Sequence, residues 1–204
     1  MLARIALSVF TAVILLVAGA GCSATIVPPS NPADPVDVFV TDYGRHSSVI
    51  LPTPVDQRTT YIEYAFGDYR WFALGDTKWY VAIGSMISSG QSTLGRRQCK
   101  RPSMDSAESD IEFAHALDCD KLIRLRCDRQ RAAKLADDLD ARFLREAQNK
   151  GGTVHSDYSG LDHVKDSEGY CALHNCNHVT ANWLRELGCE IHGFPVLSHY
   201  ELSR

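Results

Sequence analysis

His174-Asn175-Cys176-Asn177-His178-Val179-Thr180-Ala181-Asn182-Trp183-Leu184-Arg185-Glu186-Leu187-Gly188 is the stretch on which the fold turns. Val179, Trp183 and Leu187 recur at helical spacing with Thr180 and Leu184 beside them, the stripe of a helix buried along one side. Asn175 suits the N-cap and Gly188 the position just past the end. That boundary places Cys176 in the first turn, where backbone N–H groups without intrahelical partners and the helix dipole favour a thiolate over a thiol. A cysteine there is a candidate nucleophile, and a nucleophile needs a base from elsewhere in the chain.

Working outward, residues 153 to 170 are rich in Gly, Ser and Asp and carry His155, Tyr158 and His163, which reads as a long loop walling or covering a site. Before it, Lys121 to Cys127 alternates as a strand with Ile123, Leu125 and Cys127 inward. Asp128 caps a helix reaching Gln148 on the stripe Leu135, Leu139, Phe143, Ala147, and Gly151-Gly152 ends it. Residues 190 to 197 return as a short terminal strand. Val36 to Asp42 and Ser47 to Pro52 read as strands of a hairpin around Tyr43-Gly44, with His46 at the head of the second. In Thr60 to Phe66, Tyr61, Glu63 and Ala65 lie on one side and Ile62, Tyr64 and Phe66 on the other; a carboxylate inside an aromatic strand, followed by Gly67-Asp68, stands out. Residues 90 to 110 are polar, hold Arg96-Arg97-Gln98-Cys99-Lys100-Arg101, and read as an exposed, solvated insertion. Irregular alternation of strands and helices with early hairpins argues an α+β fold around a mainly antiparallel sheet.

At the N-terminus, Arg4 precedes an uncharged, largely apolar run from Ile5 to Gly21, the pattern of an export signal over residues 1–21. Gly19-Ala20-Gly21-Cys22 resembles a bacterial lipobox, which would make Cys22 the lipidated first residue of the mature chain; an ordinary signal peptide is the alternative. Residues 22–35 carry Pro28, Pro29, Pro32 and Pro35 and read as an extended tether, leaving 36–204 as one domain. The net charge of -4 gives no reason to invoke nucleic acid. Of seven cysteines, Cys22 and Cys176 aside, five remain, so one or two disulfides are admissible and their pairing is open.

Thiol acyl transfer needs a sulfur nucleophile, an imidazole to carry its proton and a group to orient the imidazole. A different chemistry is also on offer: Cys171, His174, Cys176 and His178 are four soft ligands close in sequence, the raw material of a zinc site. The N-cap reading of Asn175 separates the two histidines and argues against it, so neither metal nor cofactor is expected.

Asn175-Cys176-Asn177-His178 at a helix start resembles the Asn-Cys-Glu-His segment of the lecithin:retinol acyltransferase-like enzymes, circularly permuted relatives of papain-fold cysteine hydrolases. The set Gly44 to Pro52, Ile62 to Asp68 and Asn175-Cys176-Asn177 is also similar to a family of bacterial exported proteins related to the Lnb-type lipoprotein N-acyltransferases. Asn177 departs from the acidic residue of the first group, and Arg45 from the tryptophan usual in the second. The resemblance implies a circularly permuted papain-like fold with an early histidine, His46, as base and Cys176 late in the chain. Competing histidines are His115, His155 and His163. Glu63 is the preferred orienting carboxylate and Asp68 the reserve; the Cys176 N–H, Asn175 and Tyr43 are oxyanion or pocket candidates. The expectation is a membrane-anchored lipoprotein of the bacterial cell envelope. It would act on acyl groups of lipids or lipoproteins, with cell-wall peptide amide hydrolysis, or a non-catalytic envelope lipoprotein, as alternatives.

Overall fold

The computed structural model describes residues 23–44, 46–53, 60–79, 81, 90–101, 107–149, 151–195 and 199–203, so Cys22, the signal segment and Arg45 lie outside the described residues. Among the described residues no helix is long and apolar enough to cross a membrane. The elements run β1 (Ala24–Val27), β2 (Pro35–Asp42), β3 (Ser47–Pro52), β4 (Thr60–Asp68) and a π-helical turn, Tyr69–Ala73. After these come β5 (Gly90–Lys100), α1 (Ala107–Leu117), β6 (Lys121–Asp128) and α2 (Arg129–Ala147). The chain ends with β7 (Thr153–Ser156), β8 (Leu161–Tyr170), α3 (Cys176–Glu186), β9 (Glu190–Gly193) and β10 (Tyr200–Leu202).

Seven strands in the order β6-β2-β3-β4-β5-β8-β7 form one antiparallel sheet, and β10-β1-β9 form a second of three. The fold is α+β and mainly antiparallel, as the strand and helix patterns indicate. Period-two alternation gives the large sheet two buried faces. Val38, Val40, Val49, Leu51, Tyr64, Phe66, Leu94 and Val164 pack with Leu135, Leu139, Val179 and Trp183 of α2 and α3. On the opposite face Phe39, Ile50, Tyr61 and Cys99 meet Phe113 and Leu117 of α1. Asp128 caps α2 by accepting from the Gln130 N–H at 2.9 Å, and the β2–β3 hairpin closes through Tyr43 N to His46 O at 2.9 Å.

Three expectations are corrected. The tether does not begin at residue 22: Ala24 and Ile26 are fully buried, and β1 lies between β9 and β10. Ala24 is small and Thr25, Ile26 and Val27 are β-branched, enough for a strand once β9 and β10 supply partners on both edges. Beyond them Asp34 is held by Arg129 and Pro35 already belongs to β2, so the domain starts at β1 rather than at Val36. The polar stretch from Gly90 is interior strand β5, its arginines consumed in pairs: Arg96 with Asp140 at 3.0 Å, Arg97 with Glu63 at 2.6 Å, Arg101 with Asp110 at 2.5 Å. Residues 153–170 form the β7–β8 hairpin instead of a loop.

Cys99, Cys119, Cys127, Cys171, Cys176 and Cys189 are all thiols in this structure. The buried Cys127 thiol donates to Cys189, joining β6 to the segment after α3. Mild diamide oxidation followed by peptide mapping is expected to yield a Cys127–Cys189 pair first; a first product containing Cys176 would contradict this arrangement. Ile26→Ala is expected to lower unfolding free energy by about 2–4 kcal/mol in urea titration, where a tether residue would change nothing.

Candidate active site

Asn175 sits in extended backbone (φ -109°) and caps α3: its Oδ1 accepts from the N–H of Asn177 at 3.0 Å and of His178 at 3.1 Å. Its Nδ2 donates to Ala172 O at 3.2 Å, so both ends of the amide are engaged in holding the helix start and Asn175 is not an oxyanion donor here. The Tyr200 hydroxyl donates to Asn177 O at 2.6 Å and fixes the same turn from β10.

Ser47 joins this helix to the sheet. Its hydroxyl donates to Asn177 Oδ1 at 2.8 Å, and its carbonyl accepts from Thr180 Oγ1 at 3.3 Å. Its backbone N–H is directed to the Cys176 sulfur. The β3–β4 ladder runs from Pro52↔Tyr61 to Ser48↔Ala65 and stops there, one residue short of Ser47. The backbone groups that would have extended the ladder to Phe66 serve α3 instead.

Cys176 is thus buried at the split between β3 and β4, with the Tyr170 hydroxyl donating to its sulfur. Burial pushes the thiol up to about 11; donation from Tyr170 and from backbone N–H groups, including Ser47, opposes that rise without overcoming it. The thiolate expected from helix position is therefore not the resting state. Desolvation disfavours the charge more than the helix end favours it.

His46 immediately precedes the residue that serves this thiol. The Ser47 nitrogen whose N–H reaches the sulfur is two bonds from the His46 Cα, while strand alternation sends the imidazole to the face opposite Ser47. There the ring stands 4.4 Å from the Phe72 centroid, tilted 38°, and 6.1 Å from Tyr43. Its Nδ1 is buried with no hydrogen-bond partner among the described residues. Burial, with His163 nearby, lowers its pKa to about 3, so the ring is neutral at ordinary pH. Thiol and imidazole approach the end of β3 from opposite faces of the sheet. Gly67 makes room for the ring above: a Cβ there would lie 2.2 Å from the Phe72 side chain.

Glu63 does not orient His46. Its Oε2 accepts from Arg97 Nε at 2.6 Å, and its Oε1 from Tyr43 Oη at 2.8 Å and Ser48 Oγ at 2.5 Å. The register sets Arg97 directly opposite Glu63, and a fully buried carboxylate is held by the nearest guanidinium rather than by a neutral ring. Tyr43, which also accepts from Arg97 Nη2 at 3.0 Å, is likewise spent on this cluster and not on an oxyanion. Asp68, the reserve, accepts from Trp71 N at 2.9 Å and caps the π-helical turn that carries Phe72 over His46. The four soft ligands diverge: His174 Nε2 pairs with Glu168 at 2.9 Å and His178 Nδ1 with Asn175 at 2.9 Å. Among the described residues no three His, Cys, Asp or Glu side chains are grouped to hold a metal ion.

Of the competing histidines, His163 is the one placed near His46. It packs over Gly95, with Ser159 Oγ 2.7 Å from its Nε2 and Thr93 Oγ1 3.2 Å from its Nδ1. Sequence reasoning did not find Ser47, Tyr170, Phe72 or Arg97. Ser47 and Tyr170 carry no motif of their own and matter only because α3 docks on them.

No protein-family model, no curated protein and no solved structure matches the chain.

Burial lowers His163 to about 4, alongside His46 at about 3. The unfolded chain protonates both rings below about 6.5 while the folded chain does not, so stability is retained above that pH and falls as pH drops toward 3. His163→Gln is expected to move the acid-unfolding midpoint, followed by tryptophan fluorescence, to lower pH; an unmoved midpoint would contradict the burial of a neutral ring. Alkylation of Cys176 by iodoacetamide should be slow at neutral pH and climb toward about 11. Tyr170→Phe, which removes a donor to the sulfur, should shift that climb higher still.

Proposed function

We propose that the protein is a cysteine-dependent acyl-transfer enzyme built on a circularly permuted papain-like arrangement, with Cys176 as nucleophile and His46 as proton carrier. One observation carries the reading: a buried thiol in the first turn of α3 takes the backbone N–H of the residue that follows a histidine whose Nδ1 has no partner among the described residues. The order in the chain, histidine at a strand head and cysteine late on a helix, agrees with it.

The resting pair is neutral on both sides, so the proton moves with the chemistry. An acyl carbonyl that displaces water at the α3 N-terminus is attacked by the Cys176 sulfur as its proton passes to His46. The Cys176 N–H and the Tyr170 hydroxyl, which at rest serve the sulfur and each other, turn to the carbonyl oxygen as negative charge develops on it. Collapse expels an alcohol or amine that takes the proton back from His46, leaving a thioester on Cys176. Water or an amine then attacks the thioester, gives its proton to His46, and the thiol re-forms. The imidazole rests on the face opposite the sulfur with Phe72 packed on it, so proton transfer requires His46 to turn toward Cys176 and Phe72 to release the ring.

The export signal and the Cys22 lipobox support a bacterial envelope location with a membrane anchor, and lipid or lipoprotein acyl groups as substrates. A cell-wall peptide amidase would use the same residues.

Incubation with p-nitrophenyl octanoate, quenched in acid and read by intact mass, is expected to show one octanoyl adduct on Cys176. The adduct should be labile to neutral hydroxylamine and absent in Cys176→Ser. His46→Ala should slow its formation by about 10²–10⁴-fold. Adduct formation that is indifferent to both substitutions would sink the proposal.

A further inference from the structure

Among the described residues no tether precedes the domain, since β1 begins one residue after Ser23. The apolar run ends at Gly21, and β1 begins at Ala24. Extended chain covers at most about 3.5 Å per residue, so the start of β1 lies within about 10 Å of the end of that run. β1 is fixed between β9 and β10, with Ala24 opposite Gly193, and a Cβ at Gly193 would stand 2.7 Å from the Ser23 carbonyl. The point where the chain leaves for the apolar run is therefore held against the end of β9.

The next residue, Phe194, is 56% exposed. Its ring meets His178 edge-on at 5.1 Å, and His178 in turn contacts the Asn175 cap of α3. Leu173, 76% exposed, sits two residues before that cap in the turn closed by Cys171 and His174. Two large apolar side chains, the chain exit and the N-terminus of α3 thus share one side of the molecule. Exposed Phe and Leu beside the point where a lipid anchor on Cys22 would enter the membrane suit the boundary between lipid headgroups and acyl chains.

We propose that this side lies on a lipid bilayer, with Phe194 and Leu173 inserted at its surface and the first turn of α3 set next to the headgroup layer. Resting on the acyl-transfer reading, this presents lipid-borne acyl groups to Cys176 from the membrane plane.

The test places a photo-crosslinking p-benzoylphenylalanine at position 194, 173 or 111 of the full chain in vesicles of phosphatidylethanolamine and phosphatidylglycerol. Ile111 is 58% exposed on α1, across the large sheet from α3, and serves as the control. Irradiation is expected to add phospholipid mass at 194 and 173 at least several-fold more than at 111. Equal labelling at the three positions, labelling confined to 111, or no lipid adduct at all would overturn the proposal. Crosslinking needs no turnover, and the same series in Cys176→Ser separates the two ideas. Lipid adducts at 194 without any acyl-thioester in the parent chain would retain the docking face and remove the chemistry; the reverse result would do the opposite.

Discussion

Ser47 gives its backbone to a helix instead of to the neighbouring strand, and the candidate site depends on that choice. A buried N–H or C=O left unpaired costs about 1–3 kcal/mol, so a strand end can be opened only where other partners wait. Here they are the Cys176 sulfur and the Thr180 hydroxyl, one helical turn apart on α3. The Asn175 cap and the Tyr200 hydroxyl fix the same turn from other directions. Helix position, strand separation and thiol burial are one arrangement, and none can be altered alone.

The polar groups around this split are arranged in two kinds. Glu63, Arg97, Tyr43 and Ser48 form a closed cluster under α1, in which every charge has a partner. Arg142, Asp166, Glu168 and His174 form another beside α3. Between them, Cys176 and His46 are held without charge by the same low-polarity surroundings that make the clusters strong. A preformed ion pair at that place would carry a desolvation cost; a neutral pair defers charge separation until a carbonyl is present to receive it. The Glu63 cluster still touches the site, because Tyr43 packs against His46 while its hydroxyl is held by Glu63 and Arg97.

How much was legible in the sequence follows from which forces are local. The α3 helix, its Asn175 cap and the α2 helix were readable because spacing and capping act within a few residues. The β2–β3 hairpin was readable for the same reason. The partner of Glu63 was not: it depends on β5, whose arginines and glycines look like a solvated loop until the register pairs Arg97 with Glu63 and Gly95 with His163. β1 was hidden by the prolines that follow it, since a four-residue strand is stable only with β9 and β10, over 150 residues away, on its two edges. The thiolate was a local inference from the helix dipole that burial, a property of the whole fold, reverses.

The most direct test is the ¹⁵N spectrum of the His46 ring across pH 4.5 to 8, before and after a small disulfide reagent caps Cys176. The account predicts a ring that stays neutral throughout and whose nitrogen shifts move when the sulfur is capped. An imidazolium signal at pH 6, or a ring indifferent to the cap, would contradict a neutral thiol and a neutral imidazole coupled through Ser47 at the end of β3.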